Sequence, residues 1–230
     1  MDEKYYQAIP SRSLSERLTI AARDRIYDDF IRCCRPAPED TILDVGVSDV
    51  VNDAANLLER RYPHPDRITA LGLGHGEDFR AAFPHTAYTR IEPNRRLPFD
   101  DRAFAIAGSN AVLEHVGGAG DQAFFVSELM RVARKVFITV PNRYFPVEHH
   151  TAIPVLHFWD ATFAPACRWL GKDEWADEKN LILMTRERLA SLGPAGATID
   201  YTGLRLGPFS SNLILFVDQT DPSLTGPEPA

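Results

Sequence analysis

Cysteine is scarce, with three in 230 residues, and two of them, Cys33 and Cys34, are adjacent. No framework of cross-links can be built from that set, so the fold must stand on its core, and a reducing compartment is expected. The adjacent pair reads as two small buried apolar residues on a helix. Long apolar runs are missing too: none approaches the roughly 20 residues that span a bilayer, and Met1, Asp2 and Glu3 open no apolar leader. A cytoplasmic chain with no membrane partner is the expectation. Basic residues are in the minority, 25 Lys and Arg against 32 Asp and Glu for a net charge of −7. They are dispersed and form no stripe, which argues against nucleic acid as a partner and leaves a small organic molecule as the natural one. Oligomeric state is not readable.

What is present is ordinary for a globular protein: 44% apolar and 25% charged residues. The length fits one domain with a substantial core. That domain is expected over residues 1–220, with an N-terminal helix at 13–35, an inserted lid at 142–180 and a disordered tail at 221–230. Ser13 and Glu16 form a capping box ahead of Leu14, Leu18, Ala22, Ile26 and Phe30, which share one helical face. Pro36 and Pro38 follow, then the buried strand Thr41 to Val45.

A helix from Asp49 to Arg61, a strand from Ile68 to Leu73, a short helix from Glu77 to Phe83 and a strand from Thr86 to Ile91 continue the alternation. A strand at Ala103 to Ala107, a helix at Asp121 to Ala133 and a strand at Val136 to Val140 complete five β units, hence a parallel sheet. Thr185 caps a helix that Gly193 ends, and the segments 197–206 and 212–217 lack a helix between them, which predicts an antiparallel hairpin at the sheet edge. The fold class is therefore α/β, a Rossmann-like, doubly wound, mostly parallel seven-stranded sheet.

Ligands of such sheets bind beyond the carboxyl ends of the strands. The first strand ends "ILDVGVSD", where Asp44 can accept from an ammonium group and Gly46 permits close backbone approach. Two further blocks stand in register, "LPFDDRAFAIAGSNAVLEHV" and "ELMRVARKVFITVPNR". Together they resemble the class I S-adenosylmethionine-dependent methyltransferases, in particular the small-molecule group with an "LPF" turn and a "vLEHV" helix start, over roughly residues 40–142. The resemblance implies S-adenosylmethionine as cofactor and a methyl-transfer reaction in biosynthesis. It places Asp44 and Gly46 at the methionine end, and Ser109, Asn110, Glu114 and His115 near the sulfur. Glycines usual after Gly46 are replaced by Val47, Ser48 and Asp49. Gly72 and Leu73 occupy the end of the second strand, where the family carries a ribose-chelating acid; either Glu77 or Asp78 substitutes or the ribose is held differently. Glu92 and Asn94, after the third strand, are expected beside the adenine.

The segment "PNRYFPVEHHTAIPVLHFW" follows the fifth strand and faces the same crevice. Asn142, Arg143, Glu148 and His150 are its candidate substrate contacts. His115, Tyr144 and His149 are the catalytic candidates, because methyl transfer needs alignment, water exclusion and, for some acceptors, a base near neutral pKa. Glu148, His149, His150 and His157 are weighed as metal ligands, but adjacent histidines point apart, and no metal is expected. Two other readings stay open: an enzyme that consumes S-adenosylmethionine by intramolecular cyclisation with release of methylthioadenosine, and a non-catalytic scaffold subunit.

Overall fold

The computed structural model describes residues 14–49 and 55–221. The Ser13–Glu16 capping box and the tail beyond Asp221 lie outside its described residues. Helix α1 runs over Leu14–Cys34 and stops ahead of Pro36. The elements that follow are β1 (Ile42–Val45), α2 (Leu57–Arg61), β2 (Ile68–Gly72), α3 (Glu77–Ala82), β3 (Ala87–Arg90), β4 (Phe104–Asn110), α4 (Ala119–Val132), β5 (Ala133–Pro141), α5 (Asp160–Trp169), α6 (Arg186–Leu192), β6 (Thr198–Leu206) and β7 (Phe209–Asp218).

Seven strands form one sheet in the order β3-β2-β1-β4-β5-β7-β6. All pairings are parallel up to β5, and β7 pairs antiparallel with β5 and with β6. The expected edge hairpin is therefore present, and the strand order reverses between β1 and β4.

Both faces of the sheet are covered, which explains the continuous apolar runs of its central strands. Leu43 and Val45 point to one side and join Val126, Leu129 and Val132 of α4. Their neighbour Ile42 points to the other, where Ile106, Phe137 and Ile214 meet Ile26, Phe30 and Cys34 of α1. Ile26, Phe30 and Cys34 follow one another at four-residue intervals, so a single stripe of α1 is buried. Each large apolar side chain covered this way contributes about 1.5–3 kcal/mol.

Several boundaries differ from the sequence expectation. Strand β4 continues to Asn110 and β5 starts at Ala133, because their ladder runs from Phe104↔Ala133 to Asn110↔Thr139. Helix α2 begins only at Leu57, not at Asp49; residues 50–54 fall outside the description, while Ala55 and Asn56 are not helical. Asp49 is instead turned toward α3, accepting from Gly76 N at 2.9 Å and Phe79 N at 3.0 Å. Thr185 caps α6 as expected, accepting from Arg188 N. The 142–180 segment holds α5 and a small core of its own, built from Ile153, Phe163, Cys167, Trp175 and Leu181.

Candidate functional site

A cavity of about 1030 Å³ lies beyond the carboxyl ends of the parallel strands. Its floor is made by the residues that follow β1, β2, β3 and β4, and its walls come from α1 and from Phe145 and Val147–His150 of the 142–180 segment. This is the topological switch point, where the chains leaving β1 and β4 part to opposite faces of the sheet and leave a crevice. The volume sits at the top of the range of about 300–1,000 Å³ usual for ligand pockets, so it has space for two small molecules side by side.

The turn after β1 is shaped by Gly46, which has φ +98° and donates its N–H to Leu71 O at 2.8 Å. In place of the missing glycines, Ser48 and Asn56 pair reciprocally: Ser48 N donates to Asn56 Oδ1 and Asn56 Nδ2 donates to Ser48 O, each at 2.9 Å. Asp44 lines the cavity while otherwise buried. Burial pushes its carboxyl up to about 7. Glu59 is raised as well, by burial and then by the charge of Asp44. Two carboxyl groups at one buried place cannot both ionise cheaply, so they hold a proton between them at neutral pH.

Ser109 donates its hydroxyl to Val45 O at 2.9 Å and so ties the ends of β4 and β1 together. Asn110 accepts from Thr139 Oγ1 at 2.6 Å. Directly after it Ala111 adopts φ +55°, an unfavourable backbone conformation held at the cavity floor.

Of the expected cofactor contacts, Asp44, Gly46, Gly72, Leu73, Glu92, Asn94, Ser109 and Asn110 all line the cavity. Glu114 does not, being buried behind it. Glu77 and Asp78 are also absent from the lining, which favours the second alternative, a ribose held differently. The first turn of α3, where they sit, is drawn to Asp49 instead. Glu92, after β3, does reach the lining; it is exposed and 3.7 Å from Arg95 Nε. Gly72 is a packing requirement: a Cβ there would lie 2.5 Å from the Tyr88 hydroxyl.

The turn "LPF" is fixed by the later block. Leu97 N donates to Glu128 Oε2 at 2.8 Å. Arg131 in turn donates to Leu97 O and Phe99 O while forking onto both Glu128 oxygens. Two motifs distant in the sequence are thus one clamp that holds the cavity's Leu97 edge.

Among the catalytic candidates, His115 and His149 reach the cavity and Tyr144 does not. Tyr144 is 46% exposed and packs edge-on against Phe158. His149 faces the lumen, with its pKa lowered to about 4, chiefly by loss of hydration and then by the charge of His150. Burial also lowers His115 to about 4, so both rings are neutral at pH 7.

The four proposed substrate contacts divide in a similar way. Asn142 is a structural tie from β5 to β7, donating to Ser210 O, and Arg143 ties the 142–180 segment together through His157 O and Asp160. Neither lines the cavity, whereas Glu148 and His150 do. Glu148 accepts from the His150 ring at 2.8 Å and from His150 N and Thr151 N and Oγ1. Burial alone would raise Glu148, but the His150 and Thr151 bonds hold it well below the usual carboxylate range. His150 likewise rises above its ordinary value despite burial, through the bond and charge of Glu148 and then the charge of Glu114. His157 points away, its Nε2 bonded to Phe145 O.

The sequence reading missed the part played by α1, which contributes Leu18, Thr19, Ala22 and Arg23 to the wall. An arginine beside the apolar face of the opening helix was the available signal. It also missed that Glu114, His115 and His150 converge, their ligand-type atoms all within 4.8 Å of one another.

No family model matches the sequence, and no curated protein matches it either. Solved structures do. The magnesium protoporphyrin IX methyltransferase ChlM from Synechocystis PCC 6803, crystallised with SAH, aligns with a TM-score of 0.54 at 12% identity over 93% of this chain and 90% of that one. A SAM-dependent methyltransferase from Thermotoga maritima gives 0.52 at 12% identity over 88% and 90%. The PH0226 protein from Pyrococcus horikoshii OT3 gives 0.59 at 10% identity over 94% and 98%. At these identities the likeness concerns the fold, which is that of the class I SAM-dependent methyltransferases.

Proposed function

We propose that the chain is an S-adenosylmethionine-dependent methyltransferase acting on a small molecule held in this cavity. The observation that carries the reading is the meeting of Asp44, Gly46, Ser109 and Glu92 around one large cavity at the switch point of this sheet. The residues suit the cofactor. Asp44 offers a carboxylate to an ammonium group, Gly46 leaves backbone open to close approach, and Glu92 and Asn94 offer polar atoms to a ribose or an adenine edge. Ile91, Leu97 and Phe125 supply apolar wall for the purine.

When bound, the cofactor supplies a methyl group on a sulfonium for in-line displacement. The protein's part is to align the acceptor and exclude water, which α1 on one side and the lid on the other are placed to do. His149, neutral and facing the lumen, offers a ring nitrogen that can accept a hydrogen bond from the acceptor and orient it, while its lowered pKa makes it a weak base. Tyr144, outside the cavity, has no part in this account. A small acceptor is favoured because helix and lid both wall the cavity, and the acidic net charge disfavours nucleic acid.

Mass spectrometry of the purified protein incubated with S-adenosylmethionine and a pooled set of small hydroxyl, amine and thiol compounds tests this. Adenosylhomocysteine formed only with an acceptor supports methyl transfer. Methylthioadenosine formed without any acceptor overturns it.

A further inference from the structure

We propose that Glu114, His115 and His150 bind a divalent first-row transition ion, zinc foremost, with an open coordination position directed into the cavity. The inference is independent of the reaction the cavity serves.

His115 Nε2 and His150 Nε2 lie 3.1 Å apart, and Glu114 Oε1 is 3.9 Å from His115 Nε2. Two nitrogens on a tetrahedral zinc, each bonded at about 2.0–2.1 Å, are separated by roughly 3.4 Å. The pair is therefore already near ligand spacing, and a shift of a few tenths of an ångström completes it.

The outer partners fix the tautomers. His115 Nδ1 is 2.7 Å from Asn180 O, a carbonyl that can only accept, so the proton sits on Nδ1. His150 Nδ1 is 2.8 Å from Glu148 Oε1, and Glu148 is itself pinned by Thr151. On each ring Nε2 is the nitrogen turned toward the other, and it is the atom that each, as a neutral imidazole, can offer to a metal. Carbonyl and carboxylate partners on the far nitrogen are the arrangement that orients metal-binding histidines.

A single proton shared between the rings would reconcile the two nitrogens, but it leaves Glu114 unexplained. That side chain is 1% exposed, and neither carboxyl oxygen has a hydrogen-bond partner among the described residues. An orphaned buried carboxyl costs several kcal/mol. A cation among the three groups gives the carboxylate a partner and accounts for two ring nitrogens that face each other at 3.1 Å. The site is also held firmly: Ile182 N donates to Glu114 O at 2.9 Å, and Trp175 packs 4.9 Å from the His150 ring. His115 and His150 line the cavity while Glu114 closes the back, so three protein ligands leave the remaining position facing the lumen, as in catalytic zinc sites.

The test uses the untagged full chain, stripped with a chelator, freed of it and titrated with zinc chloride by calorimetry, with metal content measured by plasma mass spectrometry after gel filtration. One zinc per chain is expected. Glu114→Gln and His150→Asn should each weaken uptake at least tenfold, and Glu148→Gln by about 10–100-fold as an outer partner. His149→Asn, whose ring is not one of the three ligands, should keep wild-type affinity. Circular dichroism of the metal-free variants establishes that they are folded. A folded wild type that takes up no zinc overturns the proposal, as does zinc bound equally well by Glu114→Gln and His150→Asn. Titration of the same stripped sample with S-adenosylmethionine reports on the cofactor reading separately.

Discussion

Gly46 and Val112 face each other so closely that a Cβ on the glycine would fall 2.2 Å from Val112 Cγ2. The contact joins the turn after β1 to the turn after β4 across the switch point. Gly46→Ala therefore meets a steric barrier in addition to the cost of φ +98°. A loss of about 1–3 kcal/mol is expected by urea unfolding, partly relieved in Gly46→Ala/Val112→Ala because the clash goes and the backbone strain stays.

The Asp44–Glu59 pair makes stability depend on pH. Asp44 is raised to about 7 by burial, and Glu59 is raised by burial and by Asp44. The native state thus binds more protons than the unfolded chain above pH ~4, so this contribution is fully present below pH ~4 and is lost as pH rises through about 7. Asp44→Asn removes the Asp44 titration. Urea midpoints at pH 5.5 and 8 should show the wild type losing stability relative to the variant as pH rises; parallel changes would contradict it.

On the proposed cofactor reading, Glu92 lines the cavity and can meet the ribose or the adenine edge, whereas Glu77 and Asp78 do not line it. Glu92→Gln should weaken S-adenosylmethionine binding by about 1–3 kcal/mol, the scale of a hydrogen bond to a charged group. Glu77→Gln and Asp78→Asn should leave it unchanged, as read by equilibrium dialysis.

Arg131 forks onto Glu128 at 2.8 Å and holds the carbonyls of Leu97 and Phe99. Arg131→Ala leaves Glu128 without its ion partner and frees the turn. A loss of roughly 3 kcal/mol is expected, together with faster hydrogen exchange at Leu97 N, which donates to Glu128.

These relationships also mark how far the sequence could be read. The sheet was legible because its central strands are apolar on both faces, so the alternation of strands and helices and the edge hairpin were correctly expected. Strand ends were less so: β5 starts at Ala133, where Arg134 and Lys135 hide a strand whose register is set by β4. The Glu128–Arg131 clamp explains why the "LPF" and "ELMRVAR" blocks occur together, which the sequence presents only as co-occurrence. The site was half legible. Asp44, Gly46 and Ser109 follow from strand ends, whereas the meeting of His115 with His150 depends on how the segment after β5 folds back over a distance of 35 residues. Asn142, Arg143 and Tyr144 sit in the right segment yet point elsewhere, since position after a strand fixes the neighbourhood and not the direction of a side chain.

The central claim is that this cavity holds S-adenosylmethionine by its Asp44 end, and calorimetric titration of the purified chain with that cofactor, alongside Asp44→Ala, tests it most directly. The account predicts binding of one cofactor per chain by the wild type and affinity lower by about 1–3 kcal/mol in the variant. Absence of binding at millimolar cofactor, or identical affinity in the two proteins, would contradict it.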